Sequence, residues 1–91
     1  MELKQVEKIA KALADINRLK ILQYMHQHEG QIACMDIGDI LNLAQPSISH
    51  HIKKLIDADL IQPQKEGRFY LYTLNKQLWQ EYNLTMQTLN K

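Results

Sequence analysis

Polar side chains that can donate and accept hydrogen bonds, together with two lysines, lie in the helical segment after Pro46. At about 100° per residue, its apolar residues fall within one arc of about 100°: Ile48, Ile52, Leu55 and Ile56. The polar candidates are Gln45, Ser47, Ser49, His50, Lys53 and Lys54. Gln45 lies where the helix begins, and the other five lie on or beside the arc opposite the apolar residues. Hydroxyl, imidazole and amide groups can hydrogen-bond to base edges, and ammonium groups neutralise phosphate charge. The pattern therefore indicates a face that contacts DNA, although every amphipathic surface helix also has a solvated polar side.

A second group of charged side chains lies where two strand-like segments meet. Residues 65–67 are predicted to form the tip of a hairpin, and Arg68 begins its second strand. Arg68 can bind a backbone phosphate or enter the minor groove, whereas Glu66 weakens the positive field. Residues 46–76 carry five basic and three acidic residues, and residues 31–45 carry two acidic residues and no basic one. The field is therefore modestly positive around these two segments.

Hydrophobic periodicity predicts the elements that position these groups. The first half of the chain is predicted to contain a helix over Glu2–Ala14, a helix capped by Asp15 and ending near His28, an extended piece over Gln31–Ala33 and a helix over Met35–Leu41. A turn of Asn42, Leu43 and Ala44 follows. The second half is predicted to contain a helix from about Pro46 to Ala58, strands over Leu60–Gln64 and Arg68–Thr73, and a last helix capped by Asn75. Two short helices joined by a tight turn and followed by a β-hairpin describe a winged helix-turn-helix, whose second helix lies in the major groove. We therefore expect a mainly α fold with about five helices and a β-hairpin wing.

The length of the chain, 91 residues, predicts a single domain over residues 1–91. A domain of this size buries only about 60–65% of the surface that its unfolded chain exposes, which favours a dimer sharing apolar helices. The formal net charge of +1 does not by itself indicate a nucleic-acid partner. One cysteine, Cys34, excludes an intrachain disulfide, and no apolar N-terminal run follows a basic start. We expect a cytoplasmic protein without a membrane segment.

The residue pattern does not favour catalysis. No pair of carboxylates, no nucleophile with a matching base and no glycine-rich phosphate loop stands out in the chain. We therefore predict that the protein is not an enzyme and binds no cofactor.

Three stretches of the chain resemble the ArsR/SmtB family of transcriptional repressors: KALADINRLKILQYM at Lys11–Met25, AQPSISHHIKKLIDADLI at Ala44–Ile61 and KEGRFYLYTL at Lys65–Leu74. The resemblance implies a homodimer, built from the first and last helices, that binds a palindromic operator in double-stranded DNA. It also implies DNA contacts from Gln45, Ser47, Ser49, His50 and Arg68. Two positions depart from the family pattern, because Ile16 replaces a frequent proline and Ala44 replaces the usual serine cap.

The metal-sensing sites of that family are not matched in this chain. The Cys-x-Cys-Asp pattern of the family falls on residues 33–36, where only the middle position, Cys34, is a thiol. One thiolate cannot supply the three or four ligands that such a site needs. Residues 76–91 contain neither the aspartate nor the histidine of the second family site.

The four histidines do not form a ligand cluster either. His26 and His28 lie about 160° apart on their helix, and His50 and His51 diverge similarly. We interpret all four as helix-end, surface or DNA-facing residues. We therefore predict no bound metal, while a small-molecule or protein effector stays open.

The sequence predicts a sequence-specific DNA-binding transcriptional repressor that acts as a dimer. The alternative is a winged-helix module that binds another protein and not DNA, which the near-neutral net charge and Glu66 favour slightly. The operator, the regulated genes and the choice between repression and activation stay open.

Overall fold

The computed structural model describes residues 1–89 of the chain, apart from the side chain of Phe69. These residues form five helices and three strands. In chain order they are α1 (Leu3–Leu13), α2 (Ile16–Gln27), β1 (Gln31–Ala33), α3 (Cys34–Leu41), α4 (Gln45–Asp57), β2 (Ile61–Glu66), β3 (Phe69–Leu74) and α5 (Lys76–Leu89). The predicted order of elements is confirmed, and the predicted bounds agree with the structure to within two residues.

Side-chain caps fix where two of the helices begin. Asp15 Oδ1 accepts hydrogen bonds from the backbone amides of Asn17 at 2.8 Å and Arg18 at 3.4 Å, as an N-cap aspartate should. Asn75 Oδ1 accepts from the Leu78 amide at 3.2 Å and caps α5 in the same way. Ala44 gives α4 no side-chain cap, so tertiary packing must hold the start of α4.

A tight turn joins α3 to α4. Asn42 ends α3 in the left-handed region with φ 51°, and its amide donates to the Gly38 carbonyl at 3.1 Å. Asparagine tolerates this conformation better than most residues with a Cβ. The two helices therefore form the predicted helix-turn-helix pair.

The three strands form one antiparallel sheet in the order β1–β3–β2. The sequence prediction did not pair the extended piece at residues 31–33, which joins the sheet because Ile32 lies opposite Tyr72 of β3. The predicted hairpin tip at residues 65–67 was wrong. Glu66 pairs with Phe69, so the turn contains only Gly67, with φ 61°, and Arg68. A glycine with positive φ in a two-residue turn matches the twist of the strands.

One apolar core holds α4 in place. Its fully buried large side chains come from six of the helices and strands and from the loop before β2: Ile9, Ile21, Met25, Ile32, Ile37, Leu55, Leu60 and Ile61. The inner side of α4 adds Ile48 and Ile52 to this core. Truncating a fully buried leucine such as Leu55 to alanine costs about 2–5 kcal/mol, so the core strongly restrains rotation of α4 about its axis.

Candidate nucleic-acid interface

All seven predicted contact side chains are exposed: Gln45, Ser47, Ser49, His50, Lys53, Lys54 and Arg68. The first six lie along α4, and we call them the reading face. Arg68 lies in the turn between β2 and β3. Because the apolar side of α4 is packed in the core, the polar groups of the reading face point toward solvent.

The reading face has two edges with different neighbours. At the wing edge, Gln45, Ser49 and Lys53 line a cavity of about 270 Å³ together with Cys34 and Tyr72. At the opposite edge, which we call the α1 edge, Lys54 and Asp57 line a second cavity of about 350 Å³ together with residues of α1 and α2. A ligand on α4 can therefore also touch the wing side or the α1 side.

The two lysines of the reading face differ in charge environment. Lys53 Nζ donates to Asp57 Oδ2 at 3.1 Å, one helical turn along α4, and both side chains are exposed. Within the described residues, no carboxylate lies within 4.0 Å of Lys54 Nζ. Lys54 therefore presents its charge to an incoming anion more freely than Lys53 does.

His51 is buried, so the interpretation of this residue as a surface or DNA-facing histidine was wrong. Only 8% of its surface is exposed, and its Nδ1 lies 3.2 Å from Arg18 Nη1. A guanidinium can only donate, so Nδ1 accepts the bond and the ring carries its proton on Nε2. The sequence held a signal for this, because Ile48 and Leu55, three residues before and four after, are both apolar.

Arg18 links the end of α1 to α4. Its Nε donates to the Ala12 carbonyl at 2.6 Å, and its Nη2 donates to the Lys11 carbonyl at 3.4 Å. Its third contact is the bond to His51, which is 33 residues away in sequence. One guanidinium thus satisfies two carbonyls at the end of α1 and holds a ring on the helix that carries the reading face.

Asp15 completes this junction with a negative charge. Its Oδ1 lies 3.8 Å from His51 Nδ1, which is beyond hydrogen-bond distance. Burial acts to raise the pKa of the Asp15 carboxyl, but the hydrogen bonds from the amides of Asn17 and Arg18 and the positive charge of Arg18 lower it on balance. The carboxylate therefore stays ionised at the start of α2.

The histidines outside α4 make separate local contacts. The ring of His28 stacks on Tyr24 with 3.8 Å between the centroids, and His26 lies against Trp79 at 5.4 Å. Across residues 1–89, no three His, Cys, Asp or Glu side chains are grouped to hold a metal ion. The absence of a metal stays a prediction.

Cys34 is exposed at the start of α3, beside the wing. Burial raises the pKa of the neighbouring Tyr72 phenol, and the charges of Cys34 and Tyr70 act in the same direction.

In the part of the chain that the structure describes, no helix is both long and apolar enough to span a membrane.

A model of the arsR family of bacterial regulatory proteins matches residues 15–62, which contain α2, β1, α3 and α4. The chain belongs to the ArsR family. This confirms the resemblance seen in the sequence. The ArsR family consists of transcriptional regulators and not of enzymes.

Two ArsR-family relatives align over most of the chain. An arsenical resistance operon repressor of Staphylococcus xylosus is 31% identical over 90 residues, which are 99% of this chain and 85% of that protein. The transcriptional repressor SdpR of Bacillus subtilis (strain 168) is 34% identical over 84 residues, which are 91% of each chain.

Solved structures share the fold. A crystal structure of an ArsR family transcriptional regulator superposes with a TM-score of 0.78 at 27% identity, covering 97% of this chain and 91% of that one. A solution structure from Mycobacterium bovis, described as a homodimeric winged helix-turn-helix DNA-binding domain of a possible ArsR-family regulator, superposes with a TM-score of 0.75 at 25% identity. It covers 97% of this chain and 81% of that one. The predicted winged helix-turn-helix is confirmed.

Proposed function

We propose that this ArsR-family protein is a transcriptional repressor that binds double-stranded DNA as a dimer, with the reading face in the major groove. The main support for this proposal is that six polar or basic side chains of α4 are exposed while its apolar side packs in the core. Two further facts support the proposal. The relatives from S. xylosus and B. subtilis are named repressors, and the M. bovis domain is described as homodimeric and DNA-binding.

Base reading is assigned to the first half of the reading face. Recognition helices contact bases mainly through their N-terminal residues. Gln45 can pair with adenine through both groups of its amide, and the hydroxyls of Ser47 and Ser49 can donate or accept. His50 is exposed on the same helix and can donate to a base acceptor or a phosphate.

Phosphate binding is assigned to Lys53, Lys54 and Arg68. Lys54 and Arg68 bring charge to two separate parts of the surface, the α1 edge and the hairpin turn. Lys53 must loosen its 3.1 Å contact with Asp57 to reach a phosphate. We therefore expect Lys53 to contribute less to DNA affinity than Lys54.

Dimer formation is assigned to α1 and α5. Leu3 on α1 is 69% exposed, and Leu84 and Leu89 on α5 are 63% and 54% exposed. Trp79 and Met86 of α5 are only partly covered by the core. Covering such side chains with a second copy removes apolar surface from water. In this proposal residues 1–91 act as a single domain, and two-fold symmetry matches a palindromic operator.

The binding experiment begins with a selection of genomic fragments, followed by titration of the best fragment at several salt concentrations. Affinity should fall steeply with ionic strength, because bound cations release counterions from DNA. His50→Ala and Arg68→Ala should each weaken binding about 5- to 100-fold, which corresponds to roughly 1–3 kcal/mol.

His26→Ala and Lys20→Ala are the matched controls, since both positions are exposed on α2, away from the reading face. Both should bind like the parent protein. Zinc or arsenite added to the complex should not release the fragment, because the described residues group no set of metal ligands. Failure to bind any fragment at low salt would contradict the proposal and favour the protein-interaction module.

A further inference from the structure

We propose that the cavity at the α1 edge binds the phosphate backbone of the DNA strand that runs on the side of α4 away from the wing. This inference rests on the proposed DNA-binding function and adds a surface to it. We call the cavity the basic cleft. It has a volume of about 350 Å³, and its charged lining residues are Lys8, Lys11, Arg18, Lys54 and Asp57.

Cations from three helices converge on the basic cleft. Lys8 and Lys11 come from α1, Arg18 from α2 and Lys54 from α4. Two buried alanines, Ala12 and Ala58, also line the cleft. Small residues leave room between the longer basic side chains, and the volume far exceeds the roughly 30 Å³ of one water molecule.

The acidic group in the cleft does not neutralise these cations. Asp57 already accepts from Lys53 at 3.1 Å. Glu7 approaches Lys11 only to 4.0 Å, and the two side chains are 68% and 77% exposed. Within the described residues, no carboxylate lies within 4.0 Å of Lys8 Nζ or Lys54 Nζ. The cleft therefore holds more positive than negative charge and favours an anion.

Helix dipoles alone do not account for this convergence. Lys11 and Lys54 lie in the last turns of α1 and α4, where a cation interacts favourably with the terminal carbonyls. Lys8 lies one turn earlier. Arg18 already donates to the carbonyls of Lys11 and Ala12. An external anion therefore gives Lys8 and Lys54 a partner that the described residues do not provide.

The position of the cleft selects the DNA backbone as that anion. Lys54 follows His50 by four residues and Ser47 by seven, so the cleft continues the reading face along one stripe of α4. The opposite edge faces the wing through Gln45, Ser49 and Lys53. A helix in the major groove has a phosphate backbone on each side. The wing thus meets one backbone, and the basic cleft meets the other.

The test compares the double variant Lys8→Ala/Lys11→Ala with the control Lys4→Ala/Lys20→Ala. The cleft variant removes two exposed lysines of α1, and the control removes one exposed lysine from α1 and one from α2, so their net charges are equal. Each is titrated with the selected fragment and with an unrelated duplex of the same length, at several salt concentrations. Thermal unfolding checks that both variants are folded.

The cleft variant should weaken binding to both duplexes by a similar factor, about 5- to 20-fold at moderate salt. The slope of log affinity against log salt should fall by about 2–4, because the bound dimer has two clefts and each cleft neutralises one or two fewer phosphates. The control should change the slope by less than about 0.5. This result supports the inference.

Equal slopes for the cleft variant and the control, with DNA binding retained, would overturn the inference and leave the proposed function intact. Equal slopes together with thermal stabilisation of only the parent protein by inorganic phosphate would overturn it in favour of a free phosphate ligand. Absence of DNA binding by the parent protein would instead overturn the proposed function.

Discussion

Two neighbouring histidines on α4 occupy opposite environments. His50 is exposed on the reading face, whereas His51 is 8% exposed and accepts a hydrogen bond from Arg18. Successive side chains on an α-helix point in directions about 100° apart, so two adjacent residues can lie one in solvent and one in the protein interior. The comparison shows that residue type alone does not separate a side chain that can touch DNA from one that positions the helix.

The largest expected effect comes from removing the buried ring. His51→Ala should lower the free energy of unfolding by about 2–3 kcal/mol, because it leaves a guanidinium N–H without its acceptor and opens space beside the core. Urea unfolding at a fixed protein concentration measures this loss. His50→Ala should change the same quantity by less than about 0.5 kcal/mol.

A more conservative variant separates the contribution of the hydrogen bond to the free energy of unfolding from the contribution of packing. His51→Asn places an acceptor oxygen close to the position of Nδ1, so it should recover part of the lost stability. If His51→Ala unfolds at the same urea concentration as the parent, the Arg18 contact does not stabilise the fold. The comparison between the two histidines would then fail.

A smaller effect is expected at Asp15, which lies beside the buried ring. Asp15→Ala should lower the free energy of unfolding by about 1 kcal/mol at pH 7, because the N-cap of α2 is lost. The pKa of Asp15 lies below its ordinary value of 3.8 in the folded chain. The charge therefore stabilises the fold above that ordinary value, and this contribution disappears as the pH falls through the lowered pKa.

Urea unfolding at pH 7, 5 and 3 should show that difference shrinking in acid. Asp39→Ala, at an exposed position on α3, is the control at pH 7 and should stay within about 0.5 kcal/mol of the parent. A difference for Asp15→Ala that is equally large at all three pH values would show that the cap acts without its charge.

The smallest effect is expected on the exposed side of α4. Lys53→Ala should lower the free energy of unfolding by only about 0.3–0.5 kcal/mol, the usual contribution of an exposed pair one turn apart. Lys54→Ala, which breaks no ion pair among the described residues, is the matched control. A loss above about 1 kcal/mol for Lys53→Ala would mean that the reading face also supports the fold.

The order of elements and the exposed side of α4 could be predicted from the sequence, because both depend on local apolar spacing. The contact between Arg18 and His51 could not, since 33 residues separate them and only the packed fold brings them together. The pairing of β1 with β3 was missed for a similar reason, as three residues carry almost no periodicity. The hairpin tip was misplaced because strand register decides how many residues remain in a turn. The DNA contacts and the dimer helices stay predictions.

The junction between β1 and α3 contains no loop. Ala33 is the last residue of β1 and also the N-cap of α3, and β1 is hydrogen-bonded to β3 of the wing. No flexible residue therefore separates β1 from α3. A tilt of the hairpin must shift the start of α3, the first helix of the helix-turn-helix pair. Inserting even one residue at this junction would let the hairpin and α3 move independently.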